Sequence, residues 1–414
     1  MSDSMNYIIL LGDGMADYPL EELGGRTVLE AARTPAMDRI AREGTIGRID
    51  TIPTGLAPGS DVANLSILGY DPLHCRAGRG ALEAMSMGLK LGPGEIAFRC
   101  NLVTISNDGT GRPVMEDFTA GHISSGEARL IIEDLETELG SPSRSFHPGV
   151  GYRHLMLWKN GPRNLGTTPP HDIVGREIKD YMPLGDGARE LEELMARSRD
   201  ILADHRVNKD RISRGEKPAT SVWLWGQGGL PPMTPLSSRY AVTGAIISAV
   251  DLLKGIGVCA GLEPIRVEGA TGYIDTNYRG KAEAVLAWLE KGNFVFAHVE
   301  SPDEMGHEGN TAGKIAAIED FDRQVVAGVL EGLEASGKDF RLMVLSDHAT
   351  PVSVKTHTSD PVPFAVLSSV PGENLSRHGS FGETEALRSN ILVSPGHSLI
   401  DHFLGDWRSF IASL

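Results

Sequence analysis

Basic side chains are scarce in this sequence. Its 414 residues hold 39 Lys and Arg against 55 Asp and Glu, a formal charge of −16. Surfaces that bind polyanions need clustered Lys and Arg, so nucleic acid and an anionic membrane are excluded as partners. Cysteine is scarcer still. Cys75, Cys100 and Cys259 are odd in number, far apart and form no CxxC pair. That excludes a disulfide framework and a zinc knuckle, and points to a reducing compartment. No run approaches the ~18 apolar residues of a membrane span. The apolar run 7–11 lacks a basic lead and is too short for a signal-peptide core. A cytoplasmic protein is expected. No GxxxxGK[ST] loop occurs, so an ATP site of that type is not expected either.

What is present is ordinary globular composition, 41% hydrophobic and 23% charged, with length for about two or three domains. Short apolar runs alternate with helix-period segments, the pattern of an α/β protein with a largely parallel buried sheet. Residues 7–11, 294–299, 342–345 and 362–367 read as strands. Residues 34–44 read as a helix, with Thr34 as cap, Pro35 in the first turn and Gly44 at the end. The middle is richer in Gly, Pro and turn residues, with strands at 98–105 and 152–158 and a helix near 124–139. A helix at 187–204 then leads to a strand at 221–225. The expected organisation is a core of residues 1–96 and 185–414, with helices on both sheet faces, interrupted by a smaller α+β domain at 97–184. Trp223 and Trp225 alternate with Val222 and Leu224, so they are expected to pack on one sheet face. Residues 206–217 are expected to be a solvated loop.

Three of the strands each lead to an aspartate: Asp13, Asp303 and Asp347. Ligands of open α/β sheets bind outside the carboxyl ends of the strands. A single Asp there could be a helix cap, but the repetition suggests one site. His307 follows Asp303 by four residues, His348 adjoins Asp347, and His357 lies on the loop beyond. Six carboxylate and imidazole ligands suffice for two divalent ions, and mixed O and N donors without thiolate suit Mn²⁺ or Zn²⁺. Ser60 precedes a helix expected at 61–68. It could be a cap, or a nucleophile at a helix N-terminus, where an anion is stabilised and a metal lowers the hydroxyl pKa.

These motifs resemble the alkaline phosphatase superfamily, and within it the archaeal-type, cofactor-independent phosphoglycerate mutases. The resemblance is carried by Gly12-Asp13-Gly14, Thr34-Pro35-Ala36-Met37-Asp38, Gly59-Ser60-Asp61, Gly69-Tyr70-Asp71-Pro72, Gly269-Ala270-Thr271-Gly272, Asp303-Glu304-Met305-Gly306-His307, Ser346-Asp347-His348 and His357-Thr358-Ser359-Asp360-Pro361. It implies an alkaline-phosphatase-type core with an inserted lid. Asp13, Ser60, Asp347 and His348 would hold one divalent ion, and Asp303, His307 and His357 a second, with no organic cofactor. Ser60 would carry the phosphoryl group between the two hydroxyls of a small phosphorylated hydroxy acid, 3-phosphoglycerate giving 2-phosphoglycerate. The lid would exclude water from the phosphoserine. In the family's insert a stretch resembles Asp-Arg-Arg-Ala-Gly-Arg. Here it is Asp117-Phe118-Thr119-Ala120-Gly121-His122. The remaining anion contacts would be Arg79, Arg99, Arg153, His154 and His171. The lost arginines open one alternative, phosphotransfer to another hydroxy acid such as homoserine; a second is a metal-dependent phosphatase or phosphodiesterase, in which water resolves the phosphoserine.

Overall fold

The computed structural model describes residues 5–75, 78–376 and 379–414. The chain divides into two compact units, one of Met1–Arg76 with Pro232–Leu414 and one of Ala77–Pro231.

The described residues of the first unit form an eight-stranded sheet. Its order is Glu263–Ile265, Gly244–Ile247, Phe294–Val299, Asn6–Gly12, Phe340–Leu345, Val362–Ser368, Thr45–Ile49 and Leu392–Val393. Val362–Ser368 runs antiparallel to both its neighbours, and the other pairings are parallel. The result is the expected largely parallel α/β sheet. The central strands are buried on both faces, as their continuous apolar runs require. Leu11 stands opposite His298 on one side and Leu345 on the other. This register brings the chain beyond Gly12, Val299 and Leu345 out at one sheet end. No helix among the described residues is long and apolar enough to cross a membrane.

The helix expected at 34–44 spans Pro35–Glu43, but its ends are made differently. Thr34 makes no capping bond. Asp322 instead accepts the N–H of Ala36 at 3.2 Å and of Met37 at 2.7 Å, so the cap is supplied from a distant helix. Gly44 is not left-handed (φ −105°). A Cβ there would lie 2.2 Å from the Val366 carbonyl oxygen, so close strand approach is what demands glycine.

The second unit is wider than the expected 97–184. Its sheet runs Pro113–Asp117, Glu95–Asn107, Arg153–Lys159, Arg144–Val150, and Ser221–Gly228 also pairs with Glu95–Asn107. That last strand completes the sheet, which carries the boundary past 184 to 231. On the other side Gly80, in the helix Arg79–Ser86, lies against the Ala97 backbone. The helices Ser125–Leu139 and Ala188–Ala203 share one apolar core with Phe98, Leu102, Val222 and Trp223. Ser124 and Glu127 form a reciprocal cap on the first of them. Residues 206–217 are not a solvated loop. Arg206–Ser213 is a helix, and Arg211 is buried on Glu127 and the carbonyls of Ala120 and Gly121.

Candidate active site

The carboxyl end of the first unit's sheet gathers Asp13, Ser60, Asp303, His307, Asp347, His348 and His357. Asp13 follows the strand Asn6–Gly12, and Gly14 turns the chain in the left-handed region (φ +60°). A Cβ on Gly14 would meet Asp303 Oδ1 at 2.5 Å, so this position needs glycine twice over. The Gly14 N–H donates to Asp347 Oδ1 at 3.1 Å, as does the His348 N–H at 2.9 Å. Asp303 and His307 lie in the helix Ser301–Glu308, four residues apart and so on one face.

Two groups of ligand atoms result, each within 4.8 Å: Asp303, His307 and His357, and Asp13, Asp303 and His348. Asp303 belongs to both. His307 Nε2 lies 3.2 Å from Asp303 Oδ2 and 2.9 Å from His357 Nε2. His348 Nε2 lies 3.4 Å from Asp13 Oδ1 and 3.5 Å from Asp347 Oδ2. Ser60 is the first residue of the helix Ser60–Ile67, with Gly59 before it and no side-chain cap. Its Oγ sits 3.1 Å from His348 Nε2. The hydroxyl therefore faces the acidic cluster rather than serving as a helix cap.

The electrostatics of this cluster suit a cation. Burial, reinforced by the charges of Asp347 and Asp303, pushes the Asp13 carboxyl well above its usual range. Burial alone would raise Asp303 too, but hydrogen bonds from His307 and His357 hold it below the ordinary carboxylate value. The Asp303 bond raises His307 to about 9, while burial lowers His348. Asp13 Oδ1 and Asn64 Oδ1 are buried without a hydrogen-bond partner. Convergent imidazole nitrogens, repelling carboxylates and an orphaned carboxylate oxygen are the donor set a divalent ion satisfies. The residues present fit two such ions.

Four residues support the cluster: Thr350, Lys314 and His298 went unread in the sequence, and Asn64 had no role assigned there. Asn64, one turn after Ser60, donates Nδ2 to the Ser60 carbonyl at 2.8 Å and to Asp347 Oδ2 at 3.0 Å. Thr350 Oγ1 donates to Asp303 Oδ1 and contacts His348 Nδ1. Lys314, fully buried, donates to Asp17 Oδ2, Thr350 O and Ala16 O. His298 contacts Asp13 Oδ2. One signal was available: polar residues inside otherwise apolar runs.

The other predicted residues lie in the second unit. Arg99 is mostly buried, pairs with Glu83 at 3.0 Å and lies 4.4 Å over the Trp225 ring. Burial lowers its pKa, and the charges of Arg79 and Arg153 add to that. Arg79 and Arg153 are exposed. His171 is exposed and sets its ring edge-on against Trp225 and Phe118. Phe118 also packs on Tyr152. Trp225 thus belongs to an aromatic and cationic patch as well as to the core. His154 departs from expectation. It is 1% exposed, burial pushes it down to about 3, and its Nδ1 accepts the Gly149 N–H. A buried neutral imidazole offers no cationic surface contact.

The family model described as 2,3-bisphosphoglycerate-independent phosphoglycerate mutase matches residues 41–208. A probable 2,3-bisphosphoglycerate-independent phosphoglycerate mutase of Geobacter sulfurreducens is 50% identical over 400 residues, covering 97% of this chain and 100% of that one. The mutase of Methanosarcina barkeri is 51% identical over 400 residues, covering 96% and 98%. The solved cofactor-independent phosphoglycerate mutase of Thermoplasma acidophilum is 25% identical with a TM-score of 0.69, over 97% of this chain and 99% of that one.

Proposed function

Because the chain belongs to the 2,3-bisphosphoglycerate-independent phosphoglycerate mutase family, we propose that it interconverts 3-phosphoglycerate and 2-phosphoglycerate through a phosphoserine on Ser60. The observation that carries this reading is Ser60 Oγ, 3.1 Å from His348 Nε2, beside two ligand groups that share Asp303. Asp13, Ser60, Asp347 and His348 would hold one divalent ion; Asp303, His307 and His357 would hold the other. Mn²⁺ and Zn²⁺ match the mixed oxygen and nitrogen donors. When bound, such a pair of ions stabilises charge on both apical oxygens of an in-line phosphoryl displacement.

The chain's own residues do the rest. Ser60 Oγ attacks the phosphorus, losing its proton as the new P–O bond forms. The substrate's ester oxygen leaves with the bonding pair and takes up a proton. The helix N-terminus at Ser60 favours the anionic phosphoryl group, and Asn64 fixes the first helical turn against Asp347. The freed glycerate then offers its other hydroxyl to the phosphoserine, and the same displacement runs in reverse. Arg79, Arg99 and Arg153 are assigned to the substrate's anionic groups, with His171 beside them. Arg99 is the best fixed, by Glu83 and Trp225. The relatives carry the mutase name, which disfavours homoserine as acceptor and a simple phosphatase.

An enolase-coupled assay tests the proposal. The metal-stripped chain, reloaded with Mn²⁺, should convert 3-phosphoglycerate without added 2,3-bisphosphoglycerate. No turnover by a folded sample that binds two Mn²⁺ ions would overturn it.

A further inference from the structure

A histidine stands inside an otherwise apolar, fully buried strand. His298 lies in Phe294–Val299 and is 0% exposed. Most buried side-chain polar atoms have a hydrogen-bond partner, and here both ring nitrogens do. Nε2 lies 2.8 Å from Asp13 Oδ2, and Nδ1 lies 3.2 Å from Ser248 Oγ. The partner at Nε2 decides which nitrogen carries the proton. A carboxylate that is to hold a divalent ion is ionised and only accepts, so Nε2 carries the hydrogen and donates to Asp13 Oδ2. Nδ1 is then the acceptor, and Ser248 Oγ, which accepts the Val250 N–H at 3.0 Å, has its own hydrogen to donate to it. Lys281, also fully buried, donates Nζ to the His298 carbonyl at 3.0 Å and pins the strand end. Asp13 is thereby tied at one oxygen only. Its other oxygen, Oδ1, has no hydrogen-bond partner and faces His348 Nε2 at 3.4 Å.

We propose that Ser248 and His298 form a positioning pair that sets the tautomer of one ring and so aims Asp13 Oδ1 at the divalent ion. The proposal rests on the two-ion reading above and assigns two residues outside the ligand set. His298 cannot itself be a ligand in this arrangement, because its Nε2 proton points at the carboxylate. Ligand carboxylates are commonly steered in this way by an outer hydrogen bond, and losing such a bond typically costs about 10–100-fold in metal affinity.

Mn²⁺ titration of the metal-stripped chain, followed by electron paramagnetic resonance, tests this without reference to turnover. The parent should bind two ions. His298→Leu keeps bulk but removes the donor, and should weaken one ion by about 10–100-fold while sparing the other. His298→Gln, which keeps an N–H donor at similar reach, should restore most of the loss. Ser248→Ala leaves the ring free to change tautomer and should weaken the same ion by a smaller factor; Ser248→Thr should not. Ser248→Ala decides the matter if His298→Leu fails to fold. Parent-like binding of both ions by the Leu and Ala variants would overturn the positioning role. So would equal weakening of both ions in His298→Leu and His298→Gln, which marks a merely structural residue. A folded parent that binds no Mn²⁺ would instead overturn the two-ion reading beneath it.

Discussion

Replacing Lys314 by methionine should unfasten the loop that carries Asp13. Lys314 and Asp17 are a buried pair, each side chain 0% exposed, with Nζ 2.7 Å from Oδ2. The same ammonium donates to Thr350 O at 2.8 Å and Ala16 O at 3.2 Å, joining the chain after Asp13 to the chain after Asp347. Methionine fills the space but supplies no donor. Asp17 keeps the N–H groups of Tyr18 and Val352, so its charge is partly satisfied and not stranded. Breaking a buried pair at one partner costs about 3–5 kcal/mol, and the residual contacts argue for the lower end. Asp17→Leu with Lys314→Met removes both charges and should bring stability back to the parent's level or up to about 1–4 kcal/mol above it. Urea unfolding of the metal-stripped proteins, followed by circular dichroism, measures all three. A single variant within about 0.5 kcal/mol of the parent would refute the reasoning, since that is the scatter of neutral surface changes.

Ser60→Ala should abolish phosphoenzyme labelling and turnover while the protein stays folded; full activity would move the nucleophile elsewhere. Arg99→Lys loses the planar fork held between Glu83 and Trp225, and should raise KM for 3-phosphoglycerate by about tenfold with a smaller change in kcat. An unchanged KM would remove Arg99 from substrate recognition. Burial raises Asp322 to about 6, above the ordinary carboxylate value near 4. The folded state then binds this proton more tightly than the unfolded chain, so stability falls as pH rises from about 4 to 6. Asp322→Asn should flatten that decline by about 2–3 kcal/mol in urea unfolding at the two pH values. An identical pH slope in the variant would contradict the assignment.

Much of the core and of the clustered residues could be read from pattern. Parallel strands buried on both faces leave continuous apolar runs, and an aspartate just past each run marks the sheet end where ligands collect. Asp13, Asp303 and Asp347 were readable for that reason, and His307 by its helical spacing. What escaped depends on contacts between distant segments. Asp322 caps a helix almost 290 residues away in sequence, a bond no local motif encodes. Arg211 looked like one charge in a solvated run, yet its partners Glu127, Ala120 and Gly121 lie far upstream. The strand Ser221–Gly228 pairs across more than a hundred residues, so the second unit's edge could not be placed from composition. His298 was visible as a polar break in an apolar strand, but its purpose needed Ser248 and Asp13 beside it.

The central claim is that phosphate moves within one glycerate skeleton by way of Ser60. ³¹P NMR of the Mn²⁺-loaded chain with 3-phosphoglycerate observes this directly. The account predicts growth of the 2-phosphoglycerate resonance to equilibrium, with no added bisphosphoglycerate and no comparable release of inorganic phosphate. Stoichiometric inorganic phosphate, or an unchanged 3-phosphoglycerate signal from a folded sample with both ions bound, would contradict it.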